Sequence, residues 1–143
     1  MSDDTVFSGF DEKQMEEYKD EAKKRWGHTN AWKQSQERTK NWSKEDYKRI
    51  ARQGEEWTQR LAQLRDSGCS VDSPEVQEMI GQHYNSLRAF YEPNLAMYQG
   101  LGQMYVDDPR FTAYYDKFGD GLAIFMRDAM QEFVKQEQIK TVT

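Results

Sequence analysis

The sequence predicts an all-α protein of about seven helices of unequal length, packed at crossed angles in globin style rather than side by side. Three observations lead there. Apolar residues, with His83 among them, recur at three-and-four spacing. They are clearest at Val76, Met79, Ile80, His83, Tyr84, Leu87, Phe90 and Tyr91, and again at Leu95, Met97, Tyr98, Leu101, Met104 and Tyr105. This spacing aligns side chains along one helix face. No stretch of four or more residues alternates apolar and polar with β-branched enrichment, so no strand is expected. Helix starts and stops punctuate the intervals, as Ser73-Pro74 and Asp108-Pro109 on one side and Gly27 and Gly68 on the other.

Taken in order, residues 1–10 are a polar, flexible lead-in. The first helix starts at Asp11, whose carboxylate can cap it while Gln14 reaches back, and carries a thin stripe of Met15, Tyr18, Ala22 and Trp26 before Gly27. Thr29 or Asn30 caps a short second helix anchored by Trp32. Both are too polar to be stable without docking. Ser43, with Asp46 three residues on, opens a long third helix bearing Tyr47, Ile50, Ala51, Trp57, Leu61 and Leu64, with Trp57 in its core stripe. Ser73-Pro74 starts the central helix, which is expected to run to a bend at Pro93 and resume at once. Asp108-Pro109 launches a short aromatic helix with Phe111, Tyr114, Tyr115 and Phe118. The last helix spans about 121–137 with Leu122, Phe125, Met126, Ala129, Met130, Phe133 and Val134, and residues 138–143 form a fraying tail.

A chain of 143 residues is the size of one domain, here 11–137. Its net charge of -5 and lack of a basic patch argue against direct nucleic-acid binding. No window approaches the ~20 apolar residues of a membrane span, and the amino terminus lacks the regions of a signal peptide, so a cytoplasmic chain is expected. Cys69 is alone in a turn-like loop, which excludes an internal disulfide and a cysteine-based zinc site.

The sequence carries no Walker loop, dinucleotide fingerprint, nucleophile elbow or His-Glu-x-x-His. Neither His28 nor His83 has a glutamate three residues before it, as di-iron bundles require. His83 on an apolar face raises the question of a haem ligand, but a hydrogen-bonded core or pocket histidine is the commoner occupant of such a place. No enzyme, metal or cofactor is expected. Trp26 and Trp32 leave two readings open: permanent docking into the core, or rings on a lid, 11–42, that orders when a ligand supplies missing apolar contact.

The chain resembles the TipAS antibiotic-recognition domain, the drug-binding effector half of certain MerR-type transcriptional regulators. The likeness runs from Phe10 to about Phe133. Arg25-Trp26-Gly27, Ser43-Lys44-Glu45-Asp46, Gly100-Leu101-Gly102-Gln103-Met104-Tyr105, Asp108-Pro109-Arg110-Phe111 and Gly121-Leu122-Ala123 carry it. The resemblance implies a globin-like domain with a central ligand cleft for bulky peptide-type antibiotics, thiopeptide or albicidin-like, and loose amino-terminal helices that close over it. The winged helix-turn-helix and coiled coil of the full regulators are not in the sequence, so a drug-sequestering form or an excised effector domain is expected. The resemblance associates covalent thiopeptide capture with a cysteine on the central helical segment. That segment has none here, and Gly100 stands near the corresponding place.

The expected ligand groove is lined by Tyr84, Leu87, Tyr91, Met97, Tyr98, Leu101, Met104 and Tyr105, walled at one end by Phe111, Tyr115 and Phe118. Trp26 and Trp32 serve as lid rings, and His83 and Asn85 as polar fixing contacts. The expected ligand is a bulky hydrophobic or peptide antibiotic, bound by a monomer. The rival reading is a groove that receives a partner protein's helix.

Overall fold

The computed structural model describes residues 12–142 as seven α-helices and one 3-10 turn, with no strand among the described residues. The chain divides into two compact units. The first comprises the chain up to Glu56 together with Leu87–Glu92, and the second Trp57–Ser86 with Pro93 onward.

In the first unit, α1 (Glu12–Trp26) ends with Lys23, Lys24 and Arg25 in its last turn, where cations suit the negative end of the helix dipole. Ala22 is buried. Asp11 and the side chains of Met15 and Tyr18 lie outside the described residues. At Gly27 an added Cβ would collide with the Lys23 carbonyl, which the Gly27 N–H reaches at 2.8 Å. The next helix, α2 (Asn30–Thr39), is capped by Thr29 rather than Asn30. The Thr29 hydroxyl accepts from the Trp32 N–H at 3.1 Å and donates to the Trp26 carbonyl at 2.7 Å. No α2 side chain is fully buried. It lies against the 3-10 turn Leu87–Ala89, where Arg38 donates to the Arg88 carbonyl and the Gln34 side chain accepts from the Glu92 N–H. Trp42 stands between Tyr47 and Phe90, each 5.3 Å away by ring centroid.

Helix α3 (Lys44–Asp66) begins in the first unit and continues into the second. Its capping box is reciprocal: Ser43 N–H donates to Asp46 Oδ2 at 2.9 Å and Asp46 N–H to Ser43 Oγ at 3.2 Å. Its end is a Schellman motif in which Cys69 N–H reaches the Leu64 carbonyl and Gly68 N–H the Arg65 carbonyl, with Gly68 at φ +98°.

The second unit holds α4 (Pro74–Ser86), α5 (Leu95–Asp107), α6 (Pro109–Asp116) and α7 (Leu122–Val142). Ser73 and Asp108 cap the helices begun by Pro74 and Pro109, and Asn94 caps α5 by accepting from the Met97 N–H. Helix α7 packs against α4, α5 and α6 and supplies much of the core with Leu122, Ala123, Met126, Ala129, Met130 and Val134, and Leu61, Val76, Met79, Ile80 and Tyr98 of the same unit are buried as well. Gly102 lets α5 come close to α7, since a Cβ there would stand 3.2 Å from the Met130 sulfur. Gly121, at φ +84°, turns the chain into α7, and Asp116 Oδ1 accepts from the Ala123 N–H at its start.

Two expectations are corrected. The central helix stops at Ser86 although the apolar period runs on to Tyr91. There the Ser86 hydroxyl bonds back to the His83 carbonyl at 2.6 Å, the chain tightens into a 3-10 turn, and Pro93 bars the preceding residue from helical geometry. The expected tail is helical to Val142, because the run after Val134 is made of good helix formers linked by Glu132–Gln136 and Glu137–Lys140 pairs.

Candidate functional site

The feature that stands apart from ordinary core packing is a run of aromatic rings in the second unit. Trp57, on α3, donates its indole N–H to the Met79 carbonyl at 3.2 Å and stacks on His83 at 5.2 Å with planes 30° apart. His83 and Tyr84 are successive residues of α4, so their side chains diverge by about 100°. His83 meets Trp57 while Tyr84 meets Phe133 of α7 at 5.3 Å. Tyr98 of α5, with no exposed surface, joins the two branches. Its hydroxyl is 2.8 Å from His83 Nδ1, and its ring lies 5.0 Å from Tyr84 and 5.7 Å from Phe133. A second cluster links Tyr105 to Phe111 and Tyr115, and through Tyr114 to Phe118, with the Lys117 ammonium 4.8 Å over the Tyr114 ring.

Burial sets the charge of this wall. Removal from water lowers the His83 imidazole to about 4, so it is neutral at physiological pH. Burial likewise pushes the Tyr115 phenol well above its usual range, reinforced by Tyr105. Among the described residues no three His, Cys, Asp or Glu side chains come together as a metal site. Such a surface can stack flat rings and offer a small number of neutral hydrogen-bonding groups.

The structure brings together by ring contact His83, Tyr84 and Tyr98 on one side, and Tyr105, Phe111 and Tyr115 on the other, with Phe118 joined through Tyr114. Tyr98, Tyr105 and Tyr115 are buried, so in this conformation they back the wall rather than face solvent. Leu101, Met104, Phe111 and Phe118 are half-buried, and Asn85 and Met97 are exposed. Leu87, Tyr91, Trp26 and Trp32 belong to the first unit, whereas the ring clusters belong to the second. Trp26 carries the Arg25 guanidinium 4.8 Å over its ring. Sequence reasoning placed Trp57 in the core, but it is only half-buried and forms the platform for His83. Phe133 and Tyr114 were also passed over, although their helical period was visible. Gly100 is exposed, and a Cβ there would meet nothing within 4 Å, so space does not exclude a side chain at that position. Cys69 is half-buried, its sulfur 3.9 Å from a Glu75 carboxylate oxygen.

The seven helices of the described residues make this an all-α protein. The chain belongs to the TipAS antibiotic-recognition domain family, whose pattern matches residues 18–133. It is 40% identical over 126 residues to the HTH-type transcriptional activator TipA of Streptomyces coelicolor, an alignment covering 87% of this chain and 49% of that protein. It is 30% identical over 135 residues to the HTH-type transcriptional activator mta of Bacillus subtilis, covering 91% and 51%. The chain thus spans about half the length of these relatives. Among solved structures it resembles TipAS of Streptomyces lividans, described as part of a thiopeptide antibiotic multidrug resistance system and seen in complex with nosiheptide. The TM-score is 0.82 at 37% identity, covering 94% of this chain and 92% of that one. Among the described residues no helix is long and apolar enough to cross a membrane.

Proposed function

We propose that this chain binds bulky peptide-type antibiotics of the thiopeptide class reversibly, on the aromatic wall of its second unit, and so senses or sequesters them. The observation that carries the reading is the half-exposed Trp57–His83 stack, backed by Tyr98 and continued by Tyr84 and Phe133. Rings left partly in water at the edge of a packed core offer a large ligand apolar area without reorganisation of the core. Support comes from the nosiheptide complex of the 37% identical relative. With no cysteine on α4 or α5, the capture proposed is non-covalent. In this proposal the chain acts as a binder: a histidine lowered to about 4 is a poor base at neutral pH, and the Tyr98 hydroxyl beside it is fully buried. Transcriptional output, as in the relatives named activators, would need a DNA-binding element in addition to the helices α1–α7.

In this proposal Trp26 and Trp32 lie on helices that become ordered when ligand is present. Nosiheptide at a hundred times its dissociation constant adds about 2.7 kcal/mol, which raises the melting temperature by roughly 8 °C for a domain of this size. A melting temperature unmoved by nosiheptide and by other thiopeptides would refute the proposal. Stabilisation by a helical peptide partner alone would move the reading to protein recognition.

A further inference from the structure

Helix α7 has an outer face that the core does not explain. Its buried residues, from Leu122 to Val134, fall within one broad arc of the helix. On the opposite side Ile124 is 52% and Ile139 56% exposed, the most exposed large apolar side chains among the described residues. At about 100° per residue Ile124, Asp128, Gln131, Lys135 and Ile139 share one stripe roughly 80° wide. Single exposed apolar residues are ordinary; the order along this stripe is not. Ile124 and Asp128 stand as far before the midpoint, between Gln131 and Glu132, as Ile139 and Lys135 stand after it. Each apolar residue therefore mirrors an apolar one, and each charge mirrors its opposite.

We propose that the outer face of α7 is a self-association surface, on which two copies of this chain pair antiparallel about Gln131, in place of the single copy expected from the sequence. The inference goes beyond antibiotic binding and does not depend on it. The mirrored charges cannot pair within one helix, where ion pairs join residues three or four apart and Asp128 and Lys135 stand about 10 Å apart along the axis. They do pair across a two-fold axis, where residue i meets j and j meets i. Ile124 then lies on the partner's Ile139 at each end, and Asp128 faces the partner's Lys135 at two places between. Asp128 also accepts from its neighbour Arg127 at 2.9 Å, but a carboxylate takes more than one donor. A parallel pair would set Asp128 on Asp128 and Lys135 on Lys135, so the charges choose the antiparallel register. One helix seam covers less than the roughly 1,600 Å² of a standard interface, which makes the dimer a weak one that forms at high concentration.

Sedimentation equilibrium tests the association directly. Between about 10 μM and about 1 mM the average mass should rise from that of one 17.0 kDa chain toward that of two. A mass that stays at one chain throughout overturns the proposal and leaves the face to a different partner. Asp128→Lys and Lys135→Asp, each alone, bring like charges together and should weaken association about tenfold, while the double swap restores it. Both positions lie at the surface, so circular dichroism should show all three variants folded. Association indifferent to all three runs through another surface, which also overturns the proposal. Orientation is read by mixing Ile124→Cys with Ile139→Cys, each made in Cys69→Ser. Under mild oxidation the mixture should cross-link and the separate variants should not, whereas cross-linking of each variant with itself would mean a parallel pair and overturn the antiparallel one.

Discussion

Helix α2 is short and polar and buries no side chain, while the longer α7 buries Leu122, Ala123, Met126, Ala129, Met130 and Val134. The contrast extends to their units. Among the described residues, the first unit buries Ala22 and is held by side-chain bonds at its edges, such as Thr29 on Trp26 and Gln34 on Glu92. The second is closed around Leu61, Ile80, Tyr98, Met126 and Met130. Hydrogen bonds at the surface contribute little net stability because water competes for the same groups, whereas buried apolar area contributes about 25 cal/mol per Å². The chain therefore joins a weakly held helical segment to a firmly packed one, an arrangement suited to a region whose order responds to ligand.

The sharpest way to break this comparison is region-resolved hydrogen exchange. Amides of α2 should exchange about a thousandfold faster than those of 122–134, because local opening there costs far less than global unfolding. Nosiheptide should slow the 12–42 amides more than the 122–134 amides. Equal protection of α2 and α7 without ligand would erase the distinction between the units.

A core truncation comes next. Leu61→Ala removes a side chain with no exposed surface and should lower unfolding free energy by about 3 kcal/mol, read from urea midpoints. A loss under about 1 kcal/mol would mean the second unit is less tightly packed than its burial indicates.

The pH dependence of the second unit is a smaller effect with a definite sign. The unfolded His83 titrates near 6.5 and the folded one near 4, so the unfolded chain binds more protons between those values. Stability contributed by this residue is whole above pH 6.5 and is lost as pH falls toward 4, by about 2 kcal/mol once partial accessibility is allowed for. Urea midpoints between pH 4 and 7 should fall more steeply for wild type than for His83→Phe, and parallel curves would contradict the burial of the imidazole.

The smallest expected change sharpens the picture of the first unit. Thr29→Ala removes the α2 cap and should cost about 1 kcal/mol. The loss should appear as faster exchange in 30–39 with protection in α7 unaltered.

Much of the architecture is written locally. The Ser43–Asp46 capping box, Ser73-Pro74, Asp108-Pro109 and the glycine after α3 each satisfy exposed helix ends with residues a few places away, so their boundaries could be placed from spacing alone. The end of α4 could not. There the apolar period runs past Ser86, while a backbone-seeking hydroxyl and a proline further on act against it.

The wall was legible only in its ingredients. His83, Tyr84 and Tyr98 were visible as members of a helical stripe, but that Tyr98 is buried and joins both branches depends on how α5 meets α4 and α7. Trp57 looked like a core residue because it shares its period with Leu61 and Leu64. By itself the sequence determined the helical class, most helix ends and the family likeness, since these depend on short-range bonding and on the order of residues. Tertiary structure alone decided which rings touch and why the His83 imidazole stays neutral. Those properties arise from exclusion of water by residues far apart in the chain.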